Sequence, residues 1–188
     1  MQNILTMDAS AENIFDINEV MNFADKCEPF AGEQDLGKWG FIIVNQMHRE
    51  RYEELYKGSP DLLRVCPNYN GLNDDGKELV WVMILNAMAH LESSCDKTSK
   101  AKGPNGSLVG LLQLHRGREN AYAEGCRVGD GNTPTGTFRC ALSMINGQLE
   151  RDDALFSRKS YWDVLRPQAR SQKYLKVQAA IKKLSICK

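Results

Sequence analysis

The stretch that decides the fold is LVWVMILNAMAHLE, residues Leu79 to Glu92. Its apolar residues fall on nearly all sides of a helix, which predicts a helix buried all round and not an amphipathic surface helix. At about 1.5 Å per residue it spans roughly 20 Å, enough to be the core axis of a small domain. Asp75 and Glu78, just upstream, have the spacing of a capping-box variant. Downstream, Ser93 and Ser94 lead into DKTSKAKGPNGS (96–107), whose Gly103, Pro104 and Gly106 forbid continuation.

The run closes on a carboxylate. One and two turns before Glu92 on the same face lie Met88, Ala89 and Leu85, all apolar. Burial disfavours the ionised form, so a Glu92 enclosed by such neighbours should hold its proton well above the usual carboxylate range. A proton held at neutral pH is available to a leaving group. The plainer reading is a helix-end glutamate pointing into water, where charges normally sit.

Working outward, residues 1–36 are expected to form an arm or short helix packed on a main domain of residues 37–188. GFIIVNQMHRERYEELYK predicts one helix from about Trp39 to Lys57, stopped by Gly58 and Pro60. SPDLLRVCPNYNGLNDD (59–75) reads as a loop held by Cys66. LVGLLQL (108–114) is short and apolar, and TFRCALSMINGQLE (137–150) predicts an amphipathic helix. A last helix is predicted by Tyr174, Val177, Ile181 and Leu184. Strand signals are few, so the fold class is mainly α.

Of 188 residues, 42% are apolar and 26% charged, which suits a water-soluble core-forming chain. No apolar run approaches the about 18 residues of a membrane-spanning helix, so no membrane insertion is expected. The N-terminus has no basic-then-apolar leader pattern. Six cysteines without zinc-type spacing point to disulfides and so to a secreted or periplasmic protein whose leader has been removed. Cys126 with Cys140 is the pairing expected, because the polar, glycine-rich segment between them needs a staple. Residues 1–78 hold 15 acidic against 7 basic residues, and 79–188 hold 9 against 17, so the second half suits an anionic partner. The basic residues are scattered among acids, which argues against nucleic acid. No metal or cofactor is expected: DGNTPTG lacks the acids of a calcium loop.

The pair Glu92–Ser93, a glycine-containing loop, and then GLLQL (110–114) resemble, in order and spacing, the ES and GLMQ motifs of soluble lytic transglycosylases. These are relatives of goose-type lysozyme in the lysozyme-like superfamily. The resemblance covers about residues 75–165 and extends to the cysteine-rich secreted variants of proteobacteria, predatory ones included. It implies a lysozyme-like (SLT) domain whose long buried helix ends at a sole catalytic acid/base, here Glu92. Ser93, Gly110, Leu111, Leu112 and Gln113 would line the glycan cleft. The family's third motif has no clean copy; Tyr161 in SYWDVL would take the role of the tyrosine that hydrogen-bonds the catalytic glutamate, with Trp162 beside it to stack on sugar.

The implied activity is that of a lysozyme or lytic transglycosylase: cleavage of the β-1,4 bond between N-acetylmuramic acid and N-acetylglucosamine in peptidoglycan, by a monomer. The usual second carboxylate is replaced in this family by the substrate acetamido group. Asp96 and Asp130 are the candidate second acids, though Asp commonly serves turns. De-N-acetylated strands are a further candidate substrate, drawn by Asp74, Asp75 or Asp96 if these line the cleft. The alternatives are a non-catalytic glycan-binding protein on the same scaffold and a chitosanase- or chitinase-type hydrolase.

Overall fold

A computed structural model of the chain describes residues 23, 25–31 and 35–188, so most of the expected N-terminal arm lies outside the described residues. Helix α1 (Lys38–Gln46) begins the predicted 39–57 helix, but the chain leaves helical geometry at Met47 and resumes as α2 (Glu53–Lys57). Met47 and Tyr52 are both buried. Five residues apart on one helix, they would diverge by about 140° and could not both face the same core. The side-chain carbonyl of Asn146 then accepts the Glu54 and Leu55 backbone N–H groups that start α2.

The stretch read as a loop after Gly58 contains a helix, α3 (Pro60–Val65), with proline in its first turn. Asp61 fixes it. Its buried carboxylate accepts from the Ser59 hydroxyl at 2.6 Å, from Leu62 N, and from the distant Leu155 and Phe156 N–H groups at 3.0 and 2.6 Å. Asp61→Ala leaves these buried donors unsatisfied and is expected to cost about 3 kcal/mol, read as a lower urea midpoint with an unchanged slope.

Helix α4 (Asp74–Ser93) is the predicted core axis, buried without a break from Val80 to Ala89. It starts earlier than expected and is capped differently: Asn73 accepts Gly76 N–H at 2.9 Å, while Glu78 accepts the Tyr56 hydroxyl at 2.6 Å. After it comes a small antiparallel sheet, β1 (Lys100–Gly103), β2 (Gly106–Val109) and β3 (Leu114–His115), with Lys100 opposite Val109 and Leu108 opposite His115. This hairpin turns on Pro104 and Asn105.

Helix α5 (Pro134–Asp152) begins at Thr133, whose hydroxyl accepts Gly136 N–H. Helix α6 (Tyr174–Lys183) closes the chain. α1 and α6 pack on α4, and α5 packs on α1 and α2. The fold is mainly α. Disulfides join Cys27 to Cys95, Cys66 to Cys187 and, as expected, Cys126 to Cys140; three such bridges are compatible with an extracytoplasmic protein. Among the described residues no helix is long and apolar enough to cross a membrane.

Candidate active site

Glu92 stands in the last turn of α4 and lines a cleft of about 510 Å³. The β1–β2 turn, Gln113 and His115 form one side, α5 with Met144 and Gln148 another, and residues 159–163 with Arg166 a third. Burial pushes the Glu92 carboxyl up to about 7, and Asp163 nearby pushes it further the same way. Lys173 and Arg166 pull against this, and burial wins. The reason is that neither cation is given to Glu92. Lys173 Nζ donates to the Leu91 carbonyl at 3.1 Å, and Arg166 donates to the Ser160 and Tyr161 carbonyls at 2.6 and 3.1 Å. No hydrogen bond among the described residues reaches the Glu92 carboxyl, so the pull of the two cations on its charged form is not reinforced by a direct contact.

The neighbouring residues predicted to touch substrate turn out to build the wall. Ser93 Oγ contacts the Ala89 carbonyl at 3.0 Å and the Leu111 carbonyl at 2.8 Å, tying the helix end to the 110–114 turn. Leu111 and Leu112, expected to line the cleft, are buried in the core, and their side chains are not among its lining. Gln113 lines the cleft, yet its amide N–H groups are directed to the Gly110 and Ser99 carbonyls at 2.8 and 3.4 Å. Ser93→Ala is therefore expected to lower stability by about 1 kcal/mol, measured by thermal unfolding; no loss would show the tie to be idle.

Two other expectations change. The Tyr161 hydroxyl accepts His115 N–H and donates to the Gln113 carbonyl, each at 3.0 Å, and forms no hydrogen bond to Glu92. Trp162 lines the cleft but is only 2% exposed and donates its indole N–H to the Leu112 carbonyl at 2.8 Å, so it supports the turn more than it offers a face for stacking. Asp96 binds the Thr98 N–H and hydroxyl and Lys26, which hold it down to about 2, and it does not line the cleft. Asp130 is buried against Arg127 N–H and Arg139. Asp74 pairs with Arg49, and neither Asp74 nor Asp75 lines the cleft.

The structure adds residues that sequence reading missed. Asp163, held by the Ser171 hydroxyl at 2.7 Å, is the carboxylate that shares the cleft with Glu92. The Tyr122 hydroxyl is hydrogen-bonded to His115 Nδ1, and its ring lies 5.5 Å from the imidazole and 4.8 Å from the Tyr161 ring. Tyr122 is partly exposed and so is the open aromatic surface of the cleft. HRGRENAY carries no motif that would have picked it out. Among the described residues no cluster of His, Cys, Asp and Glu is placed to hold a metal ion.

No protein-family model and no curated protein sequence matches the chain. Solved structures of Bd0314 DslA, a Bdellovibrio protein, do match it in fold. Two are variants in which a glutamate is replaced by glutamine, at 24% and 21% identity with TM-scores of 0.67 and 0.68. A wild-type form is 23% identical with a TM-score of 0.66. Each covers 80% of this chain and 91% of the other.

Proposed function

We propose that the chain is a peptidoglycan-cleaving glycosidase, a lysozyme or lytic transglycosylase, that breaks the MurNAc–GlcNAc β-1,4 bond with Glu92 as its acid and then its base. The observation that carries this reading is a carboxyl that burial pushes up to about 7, at the wall of a cleft of about 510 Å³. Protonated Glu92 gives its proton to the leaving glycosidic oxygen; the resulting carboxylate takes one from the attacking hydroxyl. The β1–β2 wall supplies no second acid, since no Asp or Glu stands between Asp96 and Glu119. The second carboxylate of the cleft, Asp163, stands on another side, so the oxocarbenium-like centre is met either by Asp163 or by the substrate's own acetamido group. Tyr122 offers a ring for an apolar sugar face, and Arg151, Lys159 and Arg166 make the cleft suited to an anionic wall polymer. The glutamate-to-glutamine variants of Bd0314 DslA are in keeping with a fold whose work depends on a carboxyl.

Extension to de-N-acetylated strands rests on one group: with Asp74, Asp75 and Asp96 outside the cleft, Asp163 is the carboxylate left to meet an ammonium. Equal turnover of acetylated and deacetylated walls would remove that extension. The deciding experiment incubates the wild type and Glu92→Gln with sacculi and analyses the released muropeptides by mass spectrometry, which separates 1,6-anhydro from reducing ends. Release by both proteins, or by neither, overturns the reading.

A further inference from the structure

The cleft does not end at Tyr122. A second hollow of about 590 Å³ lies along α5, and Tyr122, Met144 and Arg151 line both. Gly147, well inside α5, also lines it, and a Cβ there would meet nothing within 4 Å. Glycine inside a helix is unfavourable relative to alanine, and no packing neighbour requires it at this position. What a side chain would occupy is the hollow itself.

The walls around that space are polar and charged with both signs. Arg51, Glu124 and Glu150 line the hollow, and none of them forms an ion pair among the described residues. Arg51 lies over the Tyr52 ring, 5.2 Å from its centroid. Tyr52 is 1% exposed, lines the same hollow, and its hydroxyl has no hydrogen-bond partner. A buried polar group of this kind is unfavourable until something meets it.

Neutral sugars carry nothing to complement these charges. The short peptide amide-linked to muramic acid does, since it has free carboxylates and a free amine. Resting on the reading of the first cleft as a glycan site, we propose that the second hollow binds the peptide stem of the strand held in the cleft. Arg51 faces a stem carboxylate, and Glu124 and Glu150 face the amine. The hollow is then a specificity site, selecting strands that still bear peptides.

The test measures binding by calorimetry to the non-cleaving Glu92→Gln protein, using a wall disaccharide with its peptide and the same disaccharide without it. The peptide-bearing ligand is expected to bind about tenfold more tightly. Gly147→Phe, which fills the hollow, and Arg51→Ala, which is on its surface, are each expected to remove that advantage and leave the bare disaccharide's affinity unchanged; Gly147→Ala is expected to retain most of it. Equal affinities, no binding of either ligand, or variants that weaken both ligands alike would overturn the proposal. Its failure is distinct from failure of the glycosidase reading. Cleavage of sacculi with equal ligand affinities sinks the stem site alone, while a tenfold difference without any cleavage sinks the glycosidase alone.

Discussion

Glu92→Gln is expected to lower glycan cleavage by ~10³-fold, the range that a positioned general acid contributes, with the fold retained. Glutamine has the shape of the protonated acid and no proton to give. The wild type should also show the acid directly in its pH dependence. With the carboxyl pushed up to about 7, the rate on soluble strands should hold while Glu92 is protonated and decline with unit slope as pH rises past about 7. A descending limb near the ordinary glutamate value would mean that burial does not control this group, and the catalytic assignment would lose its physical basis.

The same perturbation has a consequence for stability. The folded-state pKa of Glu92 is raised from 4.5 to about 7. Between those values the folded carboxyl keeps its proton while the unfolded one has lost it, so the folded state binds more protons. Stability from this group is therefore fully present below about 4.5, is lost as pH rises to about 7, and changes no further above it. The total is about 3 kcal/mol. Other groups titrate in the same range, so the informative quantity is the difference between wild type and Glu92→Gln, which should grow in the variant's favour across this window. A constant difference would contradict the burial argument.

What was legible in the sequence follows from how local each signal is. The 79–92 run shows its burial by the sheer continuity of apolar residues, and its end at a desolvated carboxyl follows from Met88, Ala89 and Leu85 on the same face. The break in 39–57 is not legible locally, because it depends on Met47 and Tyr52 meeting one core and on Asn146, about ninety residues away, capping α2. The hairpin at 100–109 is not legible, because KAKG and GSLV have no alternation of apolar and polar residues and Pro104–Asn105 reads as loop. Of the residues that line the cleft, Glu92 is legible at the end of the apolar run; Asp163 and Tyr122 are not, because they enter it through tertiary packing of polar loops. Ser93, Leu111, Leu112 and Trp162 lie in the right region, but their hydrogen bonds and burial make them the cleft's supports.

Gly110→Ala tests how that support is built. Gly110 has φ +77°, and a Cβ there would stand 2.0 Å from the Gly131 carbonyl oxygen. Two costs add: a left-handed backbone that alanine disfavours, and a clash with backbone that cannot swing aside as a side chain would. Together they predict a loss of about 4 kcal/mol, read by urea unfolding. The displacement would also carry the Gly110 N–H away from the Ser99 carbonyl and the Gly110 carbonyl away from the Gln113 amide, now at 2.9 and 2.8 Å. The turn would then lose its register against Ser93 and Trp162. Activity should fall even under conditions where the variant is folded, because the wall that encloses Glu92 is displaced; and since water then reaches the carboxyl, the descending limb of the rate profile should move below about 7. Full activity with an unmoved limb would show that the 110–114 turn neither shapes the cleft nor dries its acid.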